Sequence, residues 1–163
     1  MRWIWIDRFV SFESGKVAVA VKNLSLAEDH FADHMPGYPV MPAPLILEGL
    51  AQTGGILVGE ANGYTKNVVL AKIPKAHFKR EALAGETLIY TTTLSQMSEV
   101  GGLVAGTVRV GDEVIAEAEI FFAHVEPDQL KDLTGSDNFV FTGNLQKMLG
   151  LAKAAAKKAE SAA

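Results

Sequence analysis

Four prolines (Pro36, Pro39, Pro42 and Pro44) stand within nine residues, and an apolar run from Leu45 to about Gly59 follows at once. Proline has no amide hydrogen and fixes φ, so residues 36–44 can be neither helix interior nor central strand. They are predicted to form a stiff loop. Pro44 suits the first turn of a helix, and residues 45–59 are apolar on nearly every side, which predicts a buried helix. Glu48 and Gln52 lie four apart on it and share one face. Gly54, Gly55 and Gly59 each cost about 1 kcal/mol of helicity against alanine. Either something packs very close to this helix or it stops near Thr53.

A buried helix needs a surface to cover it, and the rest of the chain reads as β. Val17, Val19 and Val21 alternate with Ala18, Ala20 and Lys22, the period of a half-buried strand. Glu13-Ser14-Gly15-Lys16 supplies the turn to an aromatic strand before it, so residues 2–24 are predicted to be a hairpin. Further strands are expected near 67–78, 86–97, 102–110 and 113–124, with tight turns at Gly101-Gly102 and Gly111-Asp112. Hairpin, helix and meander predict an α+β fold, a sheet around one helix. The organisation is one domain over 1–125 and a C-terminal extension over 126–163, in which Leu145–Ala163 reads as a surface helix with a frayed end.

Composition removes several function classes. The 163 residues contain no cysteine, which excludes disulfides, thiolate zinc sites and cysteine nucleophiles. No apolar run approaches the ~18–20 residues of a membrane span, and Asp7-Arg8 ends the short N-terminal apolar run at once. Neither a membrane span nor a signal peptide is expected, and a cytoplasmic location is the default. A net charge of −4 argues against nucleic-acid binding. Charge placement is uneven. Residues 61–80 hold Lys66, Lys72, Lys75, Lys79 and Arg80 and no acid, whereas the remaining ten basic residues face nineteen acidic ones. Such a face can steer a strongly acidic partner, or can be an ordinary solvated strand.

His34 opens the proline loop and Glu48 lies fourteen residues on, in the helix that the loop enters. A stiffened loop can hold an imidazole in place. A carboxyl on an apolar helix is expected to be buried, which favours its protonated, acid form. The helix N-terminus adds free N–H groups and a positive dipole end for a developing oxyanion. Base, acid and oxyanion site together suit proton abstraction next to a carbonyl, followed by elimination. His30 and His34 have the four-residue spacing of two ligands on a helix. Phe31 stands where a zincin needs glutamate, and Pro36 disfavours a helix there, so no metal site is predicted.

The stretch HMPGYPVMPAPLILEGLAQ, residues 34–52, resembles the HFPGHPVMPGVLILEAMAQ signature of the 3-hydroxyacyl-acyl-carrier-protein dehydratases of type II fatty-acid synthesis. The likeness extends through Ile6-Asp7-Arg8-Phe9-Val10, Lys22-Asn23, Ala76-His77-Phe78-Lys79-Arg80, Gly85-Glu86-Thr87-Leu88 and Ala116-Glu117-Ala118-Glu119, and so spans residues 3–124. It departs at Met35, Tyr38, Ala43 and Pro44, and in a shorter N-terminus. The resemblance implies the hot-dog fold, a curved antiparallel β-sheet wrapped around one long central helix. It implies catalytic roles for His34 and Glu48, with the glutamate of the plain dehydratases rather than the aspartate of the isomerising subgroup. The Ala43 amide would serve the oxyanion, the Val40 carbonyl would orient the imidazole, and Gln52 would hold the acid. No cofactor of the protein's own is implied, because the phosphopantetheine arm belongs to the substrate. The implied partners are an acyl carrier protein, received by Lys72, Lys75, Lys79 and Arg80, and a second copy in a homodimer with shared active sites, with a trimer of dimers as a larger assembly. Two rival readings are a hot-dog acyl thioesterase, which needs no histidine at position 34, and a non-catalytic acyl-thioester-binding subunit.

Overall fold

The computed structural model describes residues 3–126 and 142–160. The first hairpin is β1 (Arg8–Glu13) and β2 (Val17–Asn23), paired antiparallel from Arg8↔Val21 to Glu13↔Val17. It is shorter than expected. Trp3–Ile6 is not a strand, because the Trp5 amide is taken by the side chain of Gln52 at 2.8 Å. The predicted alternation holds in β2, but its innermost residues are the fully buried Ala18 and Ala20. Small residues there let the sheet come close to the helix.

The segment expected to be irregular contains a five-residue helix, α1 (Asp29–Asp33), with His30 and Phe31 buried. The chain then runs through β3 (Val40–Met41) into α2 (Ala43–Ala61), which begins immediately after Pro42. This helix does not stop at Thr53. A Cβ on Gly49 would lie 2.6 Å from the Tyr90 hydroxyl, and one on Gly54 would lie 2.9 Å from Val104 Cγ2. The glycines are therefore the price of bringing the sheet up against α2.

The sheet is built from β4 (Asn67–Phe78), β6 (Thr87–Ser98), β7 (Gly101–Val110) and β8 (Glu113–Val125) together with the hairpin. The short β5 (Ala82–Leu83) pairs only with β3. Strand order in the six-stranded antiparallel sheet is β1-β2-β6-β7-β8-β4. The meander β6-β7-β8 thus sits in the middle, β2 joins it on one side, and β4 leaves sequence order to close the far edge against β8. Side chains of a strand alternate between faces, and one face packs on α2. Leu88, Tyr90 and Thr92 from β6, Val104 and Val108 from β7, and Ala118, Ile120 and Phe122 from β8 are all buried. They meet Ile46, Leu50, Ile56 and Leu57 of α2 in one core, where a large apolar side chain contributes about 1.5–3 kcal/mol by burial.

A last helix, α3 (Thr142–Glu160), is more than a surface element. Leu145 and Leu149 enter the same core, and Lys153 Nζ pairs with Glu60 Oε1 at 2.7 Å. The rest of the expected extension, residues 127–141 and 161–163, lies outside the described residues. Among the described residues no helix is long and apolar enough to cross a membrane.

Candidate functional site

The loop that carries His34 is held by its own backbone. The His34 amide donates to the His30 carbonyl at 3.0 Å, where α1 ends, and the His34 carbonyl accepts from Val40 N–H at 3.3 Å. Met35 and Tyr38 exchange backbone hydrogen bonds of 3.3 and 2.8 Å across the intervening turn. The loop leaves through β3, pinned to β5 by Val40↔Leu83 and Met41↔Ala82. Prolines suit this task, since a fixed φ reduces the alternatives open to the loop.

His34, Val40 and Ala43 line one cavity of about 670 Å³, together with Met35, Tyr38, Met41, Ile46, Phe78, Lys79, Arg80 and Glu81. Ala43 is the first residue of α2, so its N–H has no intrahelical acceptor, and it sits at the positive end of the helix dipole. Pro44 has no N–H, so of the first two residues of α2 only Ala43 can donate. Among the described residues the His34 ring makes no hydrogen bond, and the Val40 carbonyl is not its partner.

Glu48 does not line this cavity. The helix turns about 100° per residue; Ile46 faces the cavity, so a side chain two positions on emerges from almost the opposite side. Glu48 is half-buried rather than buried, and it faces the N-terminal segment instead. Its Oε1 accepts from Gln52 Nε2 at 3.0 Å and from Trp3 Nε1 at 3.3 Å. Gln52 also donates to the Trp3 carbonyl at 3.3 Å and accepts from the Trp5 amide at 2.8 Å. The expected pairing of Gln52 with the acid is present. Trp3 was not foreseen, because nothing at position 3 signals a contact forty-five residues away.

The basic window separates into two kinds of residue. Lys79 Nζ pairs with Glu117 Oε1 at 2.6 Å. Arg80 is shared by Glu86 at 3.1 Å and Glu113 at 2.8 Å, and it also donates to the Glu81 carbonyl. The Glu86 and Glu113 hydrogen bonds hold the Arg80 guanidinium above its ordinary pKa. Burial alone would raise the Glu86 carboxyl, but the hydrogen bonds from Arg80 and the Leu83 amide outweigh it and keep it below the usual value. These acids come from other strands and turns, so the run of bases in sequence overstated the positive field. Lys72 and Lys75 lie outside the cavity, are exposed on β4, and carry no salt bridge among the described residues. His30 is also not part of the cavity. It is buried between Trp5, at 5.4 Å between ring centroids, and Phe31, at 4.4 Å, and burial pushes its pKa down. No group of three His, Asp or Glu side chains able to hold a metal occurs among the described residues.

Comparison with known proteins gives consistent results. Residues 3–119 match the model of the FabA-like domain family. A curated protein of Pelotomaculum thermopropionicum named 3-hydroxyacyl-acyl-carrier-protein dehydratase FabZ is 38% identical over 122 residues, covering 74% of this chain and 87% of that one. A protein of the same name from Acidovorax sp. is 41% identical over 124 residues, covering 72% and 84%. Among solved structures, a hot-dog-like protein from Thermanaerovibrio acidaminovorans superposes with a TM-score of 0.64 at 16% identity, covering 76% of this chain and 91% of the other. The six-stranded sheet around α2 is thus the hot-dog fold.

Proposed function

The chain belongs to the FabA-like family, beside the dehydratases named FabZ, and on that premise we propose that His34 and Glu48 carry its reaction from two different subunits. The reaction is the reversible dehydration of (3R)-3-hydroxyacyl-acyl-carrier-protein to the trans-2-enoyl thioester in fatty-acid synthesis, and the protein is a hydro-lyase. His34 removes the C2 proton. The Ala43 N–H stabilises the charge that develops on the thioester oxygen. As the C2–C3 double bond forms, the C3–O bond breaks, and Glu48 gives its proton to the departing hydroxyl, which leaves as water. Proton transfers alone complete the cycle, so the protein supplies no cofactor; the phosphopantetheine arm arrives with the substrate.

One observation carries the assignment. His34 and Ala43, whose N–H begins the helix, line the same cavity, while the acid on that helix is held elsewhere by Trp3 and Gln52. One chain therefore presents half of an acid–base pair. A second copy can complete it. β4 is twelve residues long, stands at a sheet edge, and exposes Leu70, Ile73 and Phe78. Its outer backbone edge is unpaired among the described residues, and an edge of this length can accept the strand of a second copy. Phe78 also lines the cavity, so a copy paired along β4 reaches the cavity mouth. The exposed Lys72 and Lys75 offer positive charge for the acidic carrier protein.

The test is an enoyl-absorbance assay on 3-hydroxyacyl carrier-protein substrates of graded chain length, with thiol release followed in parallel. Absorbance should rise without thiol release. His34→Ala and Glu48→Gln should each lower turnover by about 10²–10⁴-fold, the usual worth of a general acid or base. Either variant, folded and running at the wild-type rate, would remove that residue from the mechanism.

A further inference from the structure

We infer that Trp3 is a positioning residue for Glu48, fixing Oε1 as an acceptor so that Oε2 is the oxygen that protonates the leaving hydroxyl. This rests on the assignment of Glu48 as the acid. A carboxyl group has two oxygens that exchange places by rotation, and only the one bearing the proton can act as the acid. Here they are not equivalent. Oε1 accepts from both Trp3 Nε1 and Gln52 Nε2, at 3.3 and 3.0 Å, while Oε2 has no hydrogen-bond partner among the described residues.

The chemistry of the donors makes the distinction firm. Indole N–H is a donor only, with no acceptor to receive a proton from the acid form. The Gln52 amide cannot reverse its end either, because its Oε1 is already taken by the Trp5 amide at 2.8 Å. Both groups therefore demand that Glu48 Oε1 accept, in either protonation state, and the proton of the acid form is left on Oε2. The indole is itself anchored. The Trp3 carbonyl accepts from Gln52, and the Trp3 ring packs edge-to-face on Trp5 at 5.7 Å, with Trp5 buried in the core.

The test replaces Trp3 in the full-length protein by phenylalanine, and separately by benzothienylalanine, which keeps the shape of indole but has sulfur in place of N–H. Loss of a donor to an ionisable group predicts a fall of about tenfold in kcat for both variants. KM should move less than twofold, since the lost hydrogen bond acts through the proton of Glu48, which is delivered only as the C3–O bond breaks. Circular dichroism and the unfolding midpoint establish that each variant is folded. Wild-type kcat in the benzothienyl protein overturns the inference whatever phenylalanine does, since packing would then be the cause. Losses shared between kcat and KM overturn it too. Glu48→Gln separates the two levels: a wild-type rate there sinks the assignment of the acid, whereas a lost rate beside an unaffected benzothienyl variant sinks only the role of Trp3.

Discussion

His34 and Glu48 lie fourteen residues apart, yet the fold holds them by opposite means. His34 sits at the end of a five-residue helix and is kept in place by backbone hydrogen bonds through His30, Val40 and the Met35–Tyr38 turn. Its ring is left without a partner among the described residues. Glu48 rides on a nineteen-residue helix, whose backbone needs no help, and it is the side chain that is held, by Gln52 and Trp3. The difference suits the two roles proposed for them. In the proposed role, a base that must meet C2 of the substrate gains from an unencumbered ring on a rigid loop. An acid must present one oxygen, and that requires donors on the other.

Mixing subunits would break this comparison most decisively. If the two residues serve separate cavities, co-expressed His34→Ala and Glu48→Gln chains form heterodimers with one doubly damaged site and one intact site. The purified heterodimer should recover about half of wild-type activity if sites act independently, from parents reduced by about 10²–10⁴-fold. A heterodimer as inactive as its parents would place both residues in one chain's cavity, and the loop and helix would have to move together.

The two means of support should also respond differently to side-chain changes. Gln52→Ala removes a donor from Glu48 and strands the Trp5 amide, which is buried in the core. Turnover should fall about tenfold, and stability by about 1–3 kcal/mol for the unpaired amide, measured by denaturant unfolding. Tyr38→Phe removes only an exposed hydrogen bond to Glu81 at 3.2 Å and leaves the backbone turn untouched. Its stability should stay within about 0.5 kcal/mol of wild type, measured the same way. Comparable losses in both variants would mean that the His34 loop, too, depends on its side chains.

These contrasts also explain what the sequence could and could not disclose. The expected strands match β4, β6, β7 and β8 to within a residue or so; β6, β7 and β8 each bury one face against α2, whereas β4, at the sheet edge, has no buried residue. The loop-to-helix passage was legible because prolines act locally. The length of α2 was not, since Gly49 and Gly54 are answered by Tyr90 and Val104 across the core. The small α1 was hidden because five residues are too few to show a period, and its stability comes from burying His30 and Phe31. Pairings between distant residues were the least visible: Trp3 with Glu48, Lys79 with Glu117, Arg80 with Glu86 and Glu113.

That last group yields the smallest predicted effect, on the four bases expected to receive the carrier. Lys72 and Lys75 are free to meet an acidic partner, whereas Lys79 and Arg80 already spend their charge on neighbouring acids. Lys72→Glu with Lys75→Glu should raise KM several-fold for carrier-linked substrate and leave a short pantetheine thioester unaffected. Salt should imitate the change, since exposed charges are screened beyond about 8–10 Å at 0.1–0.15 M. Arg80→Glu should act on stability instead. Its partner Glu86 has a folded pKa below the unfolded one, so the stabilisation is complete above the unfolded value and is lost as pH falls through the folded one. The Arg80→Glu protein should therefore unfold more easily than wild type at neutral pH, and the gap should close in acid. An equal rise in KM from Arg80→Glu would show that the carrier also reads a base held in salt bridges.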